Sequence, residues 1–242
     1  KHPYMKTYLE YREAFGGANR VVIAIRNPDG DIFNPEFFQV LQEVTDDVFF
    51  IPGVDRTRVM SLFTPNVRFT EVVEDGISGG NVIPDDFEPT PEGLAQVREN
   101  VLKSNYMGRL VANDFSAAIV VAELLEVNPN TGERLDFISV ASQLEDVRTK
   151  YSSHEIGVDF DYHIIGFAKV IGDIADGVSR VVVLFVVAFL ITAGFVYVYS
   201  QSFKLTMIVV GCSLTYVIWQ LGLLTMMGYG IDPLSFLVPF LI

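Results

Sequence analysis

Two long stretches without a charged side chain constrain this chain more than any other feature. Val181 to Tyr199 is a run of 19 uncharged residues and Leu205 to Tyr229 a run of 25, separated only by SQSFK. A helix rises about 1.5 Å per residue and a bilayer's hydrocarbon core is about 30 Å thick, so each run is long enough to cross a membrane. So short a connection predicts an antiparallel helical hairpin with its turn on the face opposite the rest of the chain. The runs lie far from the N-terminus, which excludes a secretory signal peptide. Thr192, Ser213, Thr215, Gln220 and Thr225, with Gly194, Gly211 and Gly222, are polar or small positions suited to contact between membrane helices. Neither run carries an ionisable carboxylate or ammonium of the kind that proton coupling at membrane depth requires.

Charge is segregated accordingly. The chain of 242 residues has a net charge of -13, and only Arg180, Lys204 and Asp232 lie beyond Asp176. Residues 1–176 therefore hold 15 of the 17 basic and 29 of the 30 acidic residues, a net charge of -14. A domain so acidic repels phosphate backbones, which argues against nucleic acid as a partner. Cys212 is the single cysteine and can form no disulfide within the chain. Lys204 lies in the turn, but Lys169 and Arg180 flank the other end, so the distribution of basic residues does not fix orientation; the domain is expected outside the cytoplasm.

Within residues 1–176 the apolar periodicity switches repeatedly between two and 3.6. HPYMKTYLEYREAFGG reads as an amphipathic helix stopped at Gly16 and Gly17. RVVIAIR is a strand, Asn27 to Gly30 a turn, Asn34 to Val48 a helix, and Val54 to Phe63 a second strand. A Gly/Pro/Asp-rich middle portion with a helix from Pro91 to Ser104 follows. GRLVANDFSAAIVVAELLEV predicts a strand pair turning at Asn113 and Asp114, ISVASQLEDVRTKYSS a helix, and HEIGVDFDYHIIG a strand. The expectation is an α+β domain of two ferredoxin-like β-α-β repeats, about 18–75 and 106–165, joined to an α-helical transmembrane part at 177–229. GFAKVIGDIADGVSR then reads as a helix leading straight into the first span.

Few residues suggest site chemistry. GISGGN, Gly76 to Asn81, lacks the spacing and the Lys-Ser/Thr of a phosphate-binding loop and is expected to be a turn. Asp159, Asp161 and His163 alternate at i, i+2 and i+4 and are the one candidate metal triplet, on a single strand face. HEIG has no second histidine four residues on, and there is no G-x-S-x-G elbow. No cofactor is expected, and hydrolytic chemistry has no visible machinery. Aromatic stretches such as DDVFFIPG and PEFFQVL fit a core, or the lining of a passage for apolar substrates.

IDPLSFLVPFLI opens with Asp232 and Pro233, a helix-start pair, and the nine residues from Leu234 are too short to span; they are expected to begin a further membrane helix, 232–242, of a longer protein. The order of parts, from FGG through GRLVANDFSAAIVVAELL, HIIGFAKVIGDIADGVSR and SQSFK to GYGIDPLSFLVPFLI, resembles the resistance-nodulation-division (RND) superfamily, and within it the MmpL-like exporters. The resemblance covers nearly the whole chain as the first extracytoplasmic loop and the membrane helices that follow it. It implies a multi-pass inner-membrane permease, not an enzyme, with the acidic porter-like domain in the periplasm. Such a permease exports hydrophobic or amphipathic molecules, lipids among them, against proton influx. Membrane lipids, a dimeric or trimeric homo-oligomer and periplasmic accessory proteins are the partners implied. The proton-relay residues would fall beyond Ile242. The helix marked by Gly166, Asp173, Asp176 and Arg180 would couple domain to membrane. A non-pumping sterol-sensing or receptor-like relative and a protein-export accessory stay open as alternatives.

Overall fold

A computed structural model describes residues 3, 4, 6, 7, 10, 11, 19–74, 76–128, 132–153, 156, 157 and 159–228. The helix stop at Gly16 and Gly17, the HEIG histidine and glutamate, and the helix start at Asp232 and Pro233 lie outside the described residues. The chain divides after Gly172 into two compact units.

The first unit begins with strand β1, Arg20–Arg26, whose Val21, Ile23 and Ile25 point inward in strict alternation. The Asn27 amide then closes a turn, accepting from the Asp29 N–H at 3.2 Å and donating to the Asp31 carbonyl at 2.8 Å. Helix α1, Pro35–Phe50, starts where Asn34 Oδ1 accepts from the Phe37 N–H at 2.7 Å, with proline at the first helical position. Its stripe of Phe37, Leu41, Val44 and Val48 is buried at helical spacing.

Two expectations for the next stretch are corrected. Val54 to Phe63 is not a continuous strand: Val54 and Met60 make single antiparallel bridges to Leu124 and Val121, on either side of a 3-10 turn at Arg56–Arg58. The Asp55 carboxylate accepts from the Thr57 N–H at 3.0 Å and pulls the chain out of extended conformation. GISGGN, expected to be a turn, is strand β3, Gly76–Asn81, paired antiparallel with β2, Arg68–Val73. Its glycines permit a close backbone approach, because a Cβ on Gly79 would sit 2.6 Å from the Phe69 carbonyl oxygen.

Helix α2, Pro91–Lys103, is capped by Thr90 and buries Leu94, Val97 and Val101. A turn in which the Asp114 carboxylate accepts from both the N–H and the hydroxyl of Ser116 leads to strand β4, Ala117–Glu123. Helix α3, Phe137–Ser152, is capped by Asp136, and strand β5, Asp161–Gly166, follows.

Strands β4, β1 and β5 form one antiparallel sheet in that order, with Ile23 opposite Val120 on one side and Ile164 on the other. The two β-α-β stretches therefore do not make two separate sandwiches. The strand from the first stretch is inserted between the two from the second, a split β-α-β arrangement with one contiguous hydrophobic core. Two strands alone are marginally stable in water, whereas three with helices on one face bury a usable core. Helices α1 and α3 cover that face. The Lys150 ammonium and the Tyr151 hydroxyl reach Asp47 Oδ2 at 2.6 Å and 2.8 Å, tying one helix to the other.

Helix α4, Phe167–Ser200, is a single element of 34 residues that starts in the first unit and continues into the second. Helix α5, Phe203–Met226, follows after a break of only Gln201 and Ser202. Both are long and apolar enough to cross a membrane, and no residue of either one's most apolar window is buried. Phe195 and Trp219 are 72% and 71% exposed. Hydroxyls along these helices satisfy themselves: Thr192 donates to the Ala188 carbonyl at 2.9 Å and Thr215 to the Gly211 carbonyl at 2.8 Å. The break is closed locally, since the Gln201 N–H caps the Tyr197 carbonyl at 2.9 Å and the Ser200 and Thr206 hydroxyls meet at 3.0 Å.

Candidate functional site

The sequence-predicted metal triplet is not assembled. Strand β5 begins only at Asp161, so Asp159 lies in the turn before it and outside the alternation that would place all three side chains on one face. Asp161 and His163 are exposed and stand in register with Arg26 and Ala24, a guanidinium and a methyl rather than further ligands. Among the described residues no group of three or more His, Cys, Asp or Glu side chains is placed to hold a metal ion.

Of the residues expected to couple domain to membrane, Gly166 stands at a more substantial feature, the joint from which α4 departs. Gly166 ends β5 with φ +147°, and a Cβ there would lie 2.6 Å from the Arg20 carbonyl oxygen and 3.0 Å from Val21 Cα, so only glycine fits against the central strand. The next residue opens the helix. Ala168 is fully buried, and the Phe167 ring meets Phe137 edge-on at 5.6 Å. One turn further along α3, Ala141 faces Gly172 so closely that a Cβ on the glycine would lie 2.4 Å from the alanine methyl. Another turn on, Glu145 Oε2 stands 3.4 Å from the Lys169 ammonium. Phe137, Ala141 and Glu145 recur every four residues, one ridge of α3 packed along the start of α4. Glu145 also accepts two hydrogen bonds from Arg148, at 2.6 Å and 2.9 Å. These bonds, with Lys169 beside them, hold its carboxyl below the usual carboxylate range. Asp173, Asp176 and Arg180 occupy exposed positions on the helix beyond the joint.

Sequence reasoning placed Gly166 here but missed Ala141, Gly172 and Phe137. An isolated glycine inside an otherwise helical pattern was the available signal, since helix-interior glycine costs about 1 kcal/mol and usually has a packing reason. No family model matches the chain, and no curated protein matches it. What fold and site define is an α+β unit whose last strand passes, through an obligatory glycine, into a helix long and apolar enough to cross a membrane.

Proposed function

We propose that the chain is part of an RND-type permease, of the MmpL-like kind, that exports hydrophobic or amphipathic molecules from the inner membrane at the expense of the proton gradient. The observation that carries this reading is the unbroken helix α4: its first turn is fixed in the core of the α+β unit, and its later turns expose an uninterrupted apolar surface suited to lipid. At about 1.5 Å per residue it is roughly 51 Å long, of which a bilayer takes about 30 Å. Roughly 20 Å of helix precedes the span, beginning with the turns packed against α3 at Ala168 and Gly172. The split β-α-β sheet has the connectivity of a ferredoxin-like unit, which fits a periplasmic porter-like domain. In this reading displacement of the spans, driven by proton uptake elsewhere in the protein, is passed to the domain along α4. The chain does the work of a transporter rather than an enzyme, in a dimeric or trimeric assembly with accessory proteins.

The test is transport by the protein as its gene encodes it. Cells expressing it are expected to expel a fluorescent amphiphile in a manner abolished by a protonophore. A Gly-Ser-Gly insertion after Asp176 is expected to abolish efflux while leaving membrane insertion and thermal unfolding unchanged. Efflux that survives the insertion would remove α4 as the coupler, and the absence of any protonophore-sensitive efflux would remove the transport reading.

A further inference from the structure

The face of the sheet opposite α1 and α3 carries a feature that no motif announced. Next to β4 it forms a cleft of about 350 Å³, lined along the β4 edge by Arg109 and Leu110, whose carbonyl accepts from the Ile119 N–H at 2.9 Å, and floored by Val22, Ile119 and Val121. The floor continues across the sheet, because Ile165 on β5 pairs in register with Val22 and is 65% exposed. Three guanidiniums, those of Arg20, Arg58 and Arg109, line this cleft, with Glu123 as the single carboxylate among the lining residues. Arg20 Nη2 donates to Glu123 Oε1 and Arg58 Nη1 to Oε2, each at 2.7 Å, so one carboxylate holds two arginines side by side. Asp55, 3.6 Å from Arg58, does not line the cleft. Arg109 makes no side-chain hydrogen bond or ion pair among the described residues. A cleft with two more positive than negative groups stands out in a chain of net charge -13.

We propose that this cleft binds a single-chain anionic amphiphile, the carboxylate or other anionic head held by Arg109 and the free N–H groups of Arg20, and the alkyl tail laid along Val22 towards Ile165. Guanidinium forks recognise carboxylates through charge-assisted hydrogen bonds, and the apolar strip leading away from them accepts a methylene chain. The cleft lies at the small end of ligand-sized cavities, which favours one chain over two. As a substrate site it rests on the permease reading; as a binding site it stands on the cleft alone.

Equilibrium dialysis of the full chain in a non-ionic detergent, with octanoate below its micelle concentration, tests the assignment. Octanoate is expected to bind at one site, acetate and octyltrimethylammonium far more weakly. Arg109→Glu is expected to weaken octanoate by about tenfold or more, as loss of a charge-assisted contact requires. Val22→Asp, with unchanged thermal unfolding, is expected to reduce octanoate binding by removing the start of the apolar track. Equal binding of the cation, an unchanged affinity in Arg109→Glu, or retention only by vesicles containing phosphatidylglycerol would overturn the proposal. The Gly-Ser-Gly insertion after Asp176 should leave octanoate binding intact, so loss of transport and loss of the site are told apart.

Discussion

At the scale of single residues, two polar clusters hold distant parts of the first unit together. Glu123 accepts from Arg58 and from Arg20, and those hydrogen bonds lower its carboxyl pKa. A carboxylate with a lowered folded-state value stabilises the fold above its ordinary unfolded value, and that contribution disappears as pH falls through the lowered one. Glu123→Gln is therefore expected to unfold at a lower temperature than the parent at neutral pH. The difference should close on acidification below the usual carboxylate range, as followed by thermal melts from neutral to acid pH. A gap that persists at low pH would mean that the ion pairs are not its source. In the second cluster, burial pushes the Tyr151 phenol up to about 12, and its hydroxyl keeps Asp47 as partner at 2.8 Å. Tyr151→Phe removes that hydrogen bond but leaves Lys150 on Asp47, at an expected cost of about 1 kcal/mol. Asp47→Ala should cost more, because it strips both partners at once, and equal losses in chemical denaturation would contradict this account.

Among elements, the joint between α3 and α4 makes the sharpest demand on side-chain size. A methyl on Gly172 would overlap that of Ala141, and overpacking of this kind costs about 1–3 kcal/mol, against roughly 1 kcal/mol gained from better helix propensity. Gly172→Ala is thus expected to be neutral to destabilising alone. Adding Ala141→Gly should recover stability, giving a coupling that a double-mutant cycle in thermal unfolding measures directly. Simple additivity would show that the two helices do not press on each other there. Much of the element order was legible beforehand because its signals are local. Asn34 before Pro35 and Thr90 before Pro91 mark helix starts within a few residues, and the charge-free runs mark α4 and α5 by composition alone. The order of strands was not legible. Arg20 pairs with Glu123, more than a hundred residues away, and alternation of the same kind in β1, β4 and β5 says nothing about which is central. The same distance hid the Arg20, Arg58 and Glu123 cluster. GISGGN misled because its glycines, ordinarily turn residues, serve a close backbone approach to Phe69.

For the whole molecule, two leucines of nearly equal exposure distinguish lipid from water as the surroundings of α4. Leu102 on α2 is 59% exposed and Leu190 on α4 is 63% exposed, so in an aqueous environment an arginine at either position would be tolerated alike. If α4 crosses a bilayer, Leu190 lies near the middle of its apolar run, about ten residues from Arg180. An arginine there costs about 2.5–3.5 kcal/mol on insertion scales. Leu102→Arg would remain a surface change within about 0.5 kcal/mol. The expected outcome is that Leu102→Arg accumulates in the membrane fraction like the parent, resists alkaline carbonate extraction and melts at the same temperature. Leu190→Arg should be depleted from that fraction or released by carbonate. Equivalent behaviour of the two variants would show that Leu190 does not lie in lipid and would remove the membrane-crossing reading of α4. Because the core of the α+β unit, among the described residues, is formed entirely by residues before Gly172, its near-ultraviolet circular dichroism should be retained in Leu190→Arg, which separates failure to insert from failure to fold.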